Sequence, residues 1–222
     1  MNYSVPMAIV DFVPVLLFGA AAVILLYDLY NRLYKGAYAI VAAGFIDIFV
    51  AGFTKALHKL LYALGVCDFE KLSAMFFPLQ SIGFILAGLG MASLLRKKNR
   101  NAKINSFAPL YLVLAGMLTT GATEKPPVFS GTVIFVSFMV LGIGLICLSL
   151  SVMGVKLKKP VVIALFSVTF VCLLSMGYLS TKDFTAAGMN WLGEGLNTAG
   201  QLCLLIGTCI LRKAGLGKPE KD

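Results

Sequence analysis

The stretch 189–211, MNWLGEGLNTAGQLCLLIGTCIL, has the length of a membrane crossing, yet it carries Asn190, Glu194, Asn197 and Gln201. A helix crosses the roughly 30 Å hydrocarbon core of a bilayer with about 20 apolar residues. Successive steps of four, three and four residues set these polar side chains on one helix face, about a turn apart. Lipid offers no hydrogen-bond partner, and each polar group left unsatisfied there costs a few kcal/mol. The stripe is therefore expected to face protein or water inside a helix bundle. Gly193, Gly200 and Gly207 recur every seven residues on another face, where their small size lets a neighbouring helix approach closely.

The rest of the chain agrees with that reading. Of its 222 residues 59% are hydrophobic and 13% charged, and mean hydropathy is +0.90. A soluble domain carries about twice that charged fraction. Apolar runs at 7–29, 36–58, 72–95, 107–122, 129–153, 160–180 and 187–211 predict an all-α polytopic membrane protein with seven spans. The first run lacks the basic leader of a signal peptide and is read as a retained helix. The expected organisation is one seven-helix transmembrane domain over 1–222, ending in a short basic cytoplasmic tail at 212–222.

The net charge of +9 invites a nucleic-acid reading, but its distribution favours membrane topology. Alternate connecting segments hold Arg32 and Lys35; Arg96, Lys97, Lys98, Arg100 and Lys103; Lys156, Lys158 and Lys159; and Arg212, Lys213, Lys218 and Lys221. These are 14 of the 19 basic residues, and retention of such residues in the cytoplasm predicts an N-terminus outside and a C-terminus inside. The expected location is the cell (plasma) membrane. The basic run RKKNRNAK is read mainly as a topology signal, with anionic headgroups as a further use.

The second apolar run, GAYAIVAAGFIDIFVAGFTKALHKLLYALG, has its own polar face of Asp47, Thr54, Lys55 and His58. Asp47 falls near mid-depth, and Lys55 and His58 near the outer surface. Asp11 in the first span and Gln80 in the third share the outer half. The expected ligand-binding set is Asp11, Asp47, Lys55, His58, Gln80, Asn190, Glu194, Asn197 and Gln201, lining an outward-facing cavity among helices 1, 2, 3 and 7. Structural roles compete: Asp11 as an interfacial cap, Lys55 and His58 snorkelling to the surface, Gln80 as a bond between helices. Lys55 lies about 12 Å along the axis from Asp47, so its expected partner is Asp11 or Glu194.

Several chemistries lack their residues. The five cysteines form no CxxC or Cys/His cluster, so no metal or disulfide framework is expected. GLGKPE lacks the preceding strand and following helix of a phosphate loop, and no cofactor is expected. GxSxG and HExxH are absent. The topology is similar to that of rhodopsins, of G-protein-coupled receptors and of small sugar carriers with a three-plus-one-plus-three repeat. The residues carry the likeness no further. No lysine stands between Trp191 and Leu211, the chain reads Pro78-Leu79-Gln80 where the carriers often hold a proline–glutamine pair, and no sequence repeat joins the first three spans to the last three.

The expected function is binding or transport of a small polar or zwitterionic molecule or a lipid headgroup. One alternative is an intramembrane enzyme acting on lipid at the outer leaflet, with His58 or Glu194 as general base and Asp47 or Asp11 beside it. Another is a non-catalytic sensor or accessory subunit. Expected partners are membrane lipids, a small-molecule ligand and, for a subunit, another membrane protein; nucleic acid is not among them. The charge asymmetry is testable. Cysteines at positions 97 and 158, in a background lacking Cys67, should resist an impermeant thiol reagent in intact cells, and ready labelling of both would reverse the orientation.

Overall fold

Short punctuation between long apolar runs cuts the chain into helices. The computed structural model describes residues 4–67, 76–95, 131–179 and 187–218, so the expected fourth span, 107–122, and the basic stretch 96–103 lie outside it. The described helices are α1 (Val5–Val10), α2 (Phe12–Leu29), α3 (Lys35–Ala63), α4 (Phe76–Ala92, continued by a 3-10 turn at Ser93–Leu95), α5 (Gly131–Lys156), α6 (Val161–Leu179) and α7 (Ala187–Lys213). Among the described residues six stretches are long and apolar enough to cross a membrane, with α1 and α2 together forming the first, Val5–Leu29. The break at Asp11 has a local cause. Pro14 has no N–H for the carbonyl of Val10, and its ring crowds that carbonyl. Large apolar side chains point outward all round the bundle, among them Leu16, Val23, Leu148, Val171 and Ile206. That exposure suits lipid and not water.

Neighbours in sequence are neighbours in space: α2 packs on α3, α3 on α4, α4 on α5, α5 on α6 and α6 on α7, and α7 closes the ring against α2. Close contacts at glycines fix the directions. Gly19 meets Phe49 and Gly52 meets Val15, so α2 and α3 run antiparallel. Gly83 lies on Gly44 and Gly90 on Ala37 and Val41, which turns α4 back again. Likewise Gly144 meets Phe170 and Gly177 meets Val136, and Gly200 meets Cys172 and Gly207 meets Phe166. The ends of α2 and α7 come together, with Arg212 Nε 3.9 Å from Asp28 Oδ1. It follows that α2, α4, α5 and α7 all run toward one end, and α3 and α6 run back. The first three spans and the last three thus repeat one order and one set of directions, which the residue identities do not reveal.

That common end is the basic end, holding Arg32, Lys35, Lys156, Lys159, Arg212 and Lys213. It is also the densely packed end. Leu25, Leu29, Val41, Met91, Ile146, Leu150, Val162, Phe166, Leu204 and Leu211 are all fully buried there. The expected tail at 212–222 is partly folded onto the bundle. Helix α7 continues to Lys213 and stops in a turn where the Leu216 N–H bonds the Leu211 carbonyl at 3.0 Å, with Gly215 at φ +96°. Only glycine adopts that φ cheaply, and such a turn satisfies the last helical carbonyls. Leu216 is fully buried, and Gly217 lies against Asp28.

The α4–α5 seam is set by backbone contact. A Cβ added at Gly88 would stand 2.6 Å from the Gly142 carbonyl oxygen. Gly88→Val should therefore force the helices apart and cost about 1–3 kcal/mol. Gly195 has nothing within 4 Å of an added Cβ. There, Gly195→Ala should add roughly 0.5–1 kcal/mol of stability through helix propensity. Thermal unfolding in detergent compares the two, and equal effects would contradict the seam.

Candidate functional site

Away from the basic end the ring is filled differently. The break before Pro14 sets Asp11 at the junction of α1 and α2, where its side chain caps no helix. It turns inward instead, 5% exposed, and forms an ion pair with Lys59 Nζ. The same ammonium donates to Glu194 Oε1 at 3.2 Å. One cation on α3 thus joins two carboxylates, one from each end of the chain. This corrects the expectation for Lys55. That residue, one turn deeper on α3, places its Nζ 3.9 Å from the centre of the Phe76 ring and has no carboxylate within ion-pair distance among the described residues. Lys59 stands inside the quoted second run but past the span bound of 58 and is not part of the polar face read there, whereas α3 runs on to Ala63 and carries it to the level of Asp11 and Glu194. The available signal was its place four residues beyond Lys55, on the same face.

Below the ion cluster lies a cavity of about 130 Å³. Asp11, Lys55, Gln80, Glu194, Asn197 and Gln201 supply its polar wall. The remainder is apolar, with Phe18, Phe49, Phe84, Met139, Ile143 and Leu173 prominent. All six spans contribute, so the expectation of helices 1, 2, 3 and 7 is widened by α5 and α6, whose lining side chains are apolar and gave no polar pattern to read.

Three expected members stand elsewhere. Asp47 is half-buried on α3 and does not line the cavity. His58 is buried with its ring 6.4 Å from that of Tyr62, also outside the lining. Asn190 is half-buried one turn beyond Glu194, past the end of the cavity. The polar groups of α6 form no path toward the basic end: Ser167 is exposed on the outer face, and Thr169 donates to the carbonyls of Leu165 and Gly200, each at 3.0 Å.

Several polar atoms of the wall have no hydrogen-bond partner among the described residues: Asp11 Oδ1, Gln80 Oε1 and Gln201 Oε1. Buried acceptors of this kind are rare in folded proteins and call for water or a ligand. No protein-family model, curated protein or solved structure matches the chain, which leaves the geometry of this cavity to carry the functional reading.

Removing Lys59 would strand two buried carboxylates. Lys59→Met should cost about 3–5 kcal/mol. Lys55→Met breaks no ion pair among the described residues and should cost less, about 0.5–2 kcal/mol for the lost ring contact. Adding Asp11→Asn and Glu194→Gln to Lys59→Met removes the stranded charges and should recover most of the loss. Thermal unfolding of the single, double and triple variants in detergent measures this, and strictly additive losses would refute the cluster.

Proposed function

We propose that this protein is a cell-membrane carrier or binding protein with seven spans, its N-terminus outside and its C-terminus in the cytoplasm. On this reading it takes a small polar or zwitterionic molecule, or a lipid headgroup, from the outer side into the cavity described above. The seventh span is supported by helix direction. Because α4 and α5 both run toward the basic end, a further crossing between them fits the described helices, and 107–122 is the apolar stretch of the sequence suited to it. The orientation is supported by the gathering of basic residues at the densely packed end.

The observation that carries the proposal is the place of the cavity. It lies between two three-span halves that repeat one arrangement, the geometry in which many carriers hold their substrates. One half supplies Asp11, Lys55 and Gln80; the other supplies Glu194, Asn197 and Gln201. The cavity sits toward the end poor in basic residues and is sealed from the other by the leucine-rich core. That asymmetry fits a protein caught accepting its ligand from outside. The enzyme alternative keeps Glu194 and Asp11, which line the cavity, but His58 stands outside it and no serine, threonine or cysteine is among its described lining residues.

Asn197→Cys, in a background without native cysteines, tests this. A small cationic thiol reagent added to intact cells should modify it at least tenfold faster than in inside-out vesicles. Equal rates from the two sides, or no reaction from outside, would reject an outward cavity.

A further inference from the structure

We propose that the ligand of this cavity is a compact zwitterion, its ammonium group held at Asp11 and its anionic group at Lys55. The proposal rests on the reading of the cavity as a ligand site and goes on to name what the site selects.

Charge balance is the first argument. Among the described residues, the charge-bearing side chains at the cavity are two acids, Asp11 and Glu194, and two bases, Lys55 and Lys59, a formally balanced set. Asp47 and His58, the other titratable groups of α3 near this depth, do not line it. A ligand with a net charge would bring an uncompensated ion into a low-dielectric site, and an ion buried without a partner is strongly disfavoured. A neutral ligand avoids that penalty. An apolar one would leave the polar wall unsatisfied, so the neutral ligand must itself carry separated charges.

The local partners give the orientation. Lys59 pairs with Asp11 at Oδ2, while the buried Oδ1 has no hydrogen-bond partner among the described residues. A carboxylate oxygen only accepts, so the ligand must present a donor there. Lys55 has the opposite need. It has three donors and lies over the Phe76 ring, whose π face compensates an ammonium only in part. An anionic group beside Lys55 completes it. Gln80 and Gln201 offer amides that can donate or accept, and so fit either end of such a ligand.

Size and shape narrow the class. A cavity of about 130 Å³ is close to the roughly 150 Å³ that admits benzene in an apolar protein core. Phe18, Phe84, Ile143 and Leu173 surround the part away from the charges, which suits a small apolar substituent. An amino acid with a short aliphatic side chain has these properties. A phosphoethanolamine headgroup shares the charge pattern, and the experiment below separates it from a free solute.

Calorimetry on protein in phosphatidylglycerol nanodiscs decides the matter with two matched sets: alanine, ethylamine and propionate; valine, isobutylamine and isobutyrate. The wild type should bind the amino acid of a set at least tenfold more tightly than its amine or its acid. Lys55→Met leaves the site one negative charge in excess and should shift preference to the amine. Asp11→Asn leaves one positive charge in excess and should shift it to the acid. An amine that binds the wild type as tightly as the amino acid would overturn the zwitterion while leaving a ligand cavity. Failure of all six compounds to bind would overturn both readings. The wild-type ranking decides even where a variant does not fold. Loss of amino-acid binding when phosphatidylethanolamine is added to the discs would assign the same zwitterion site to a lipid headgroup; unchanged binding assigns it to a free solute.

Discussion

The Lys59 ammonium, held between Asp11 and Glu194, is the contact on which the arrangement depends. Each of these ions inside a bundle of apolar helices carries a desolvation penalty of several kcal/mol. Close pairing offsets that penalty only if three backbones meet at one depth. The broken first span, the far end of α3 and the first turns of α7 must therefore converge. Two devices in the sequence make this geometry reachable: Pro14 interrupts the first span so that Asp11 turns inward, and α3 extends far enough to carry Lys59 to the same level. The cluster sets two carboxyl groups against one ammonium, and Lys55, one turn deeper, is a second amine beside them.

The two seams between the halves are built from different physics. At α4–α5, Gly88 and Gly142 bring the backbones together, so dispersion acts over a large matched surface with no charge involved. At α2–α7 the join is ionic at both ends, through the Lys59 cluster at one and Asp28 with Arg212 at the other. The second contact is the looser, at 3.9 Å with Arg212 half-exposed. A backbone seam has no intermediate arrangement, because any separation loses its contacts outright. Ion pairs can part when water or a ligand's charges replace the partner.

Much of the architecture could be read from the chain, because lipid imposes length and polarity rules that few other environments match. The apolar runs and the inward polar face of α7 follow from those rules alone. The identity of the bridging lysine did not. Lys55 and Lys59 share a face one turn apart, and which of them meets Asp11 depends on the axial offset between two helices, a quantity no single-helix pattern contains. Asp47 misled for a related reason. A carboxylate at mid-depth marks a functional residue by default, but the turn of the helix sets it beside the cavity and not in it. The likeness of the two halves was hidden as well. Lipid-facing positions accept any of several apolar residues, so helix order and direction can repeat without any repeat of identities. Asp28 carried a signal that was passed over: an acid at the end of the first run, matched by Arg212 at the end of the last.

The position of the cavity follows from which side chains each end of the ring must accommodate. At the basic end the inward positions are held by Leu25, Ile146, Leu150, Phe166 and Leu211, flexible or branched hydrocarbons that interdigitate to the density of a protein interior. At the other end the inward positions include Asp11, Lys55, Gln80, Glu194, Asn197 and Gln201. Such groups cannot close on one another with the same freedom, because each contact must also supply a donor or an acceptor at hydrogen-bond distance. Full collapse would press the unpartnered oxygens of Asp11, Gln80 and Gln201 against Phe18, Phe84 and Ile143, at the cost of burying polar atoms against hydrocarbon. The unfilled space is therefore what remains when a ring of helices is lined at one end by groups that require a partner the described residues do not themselves provide.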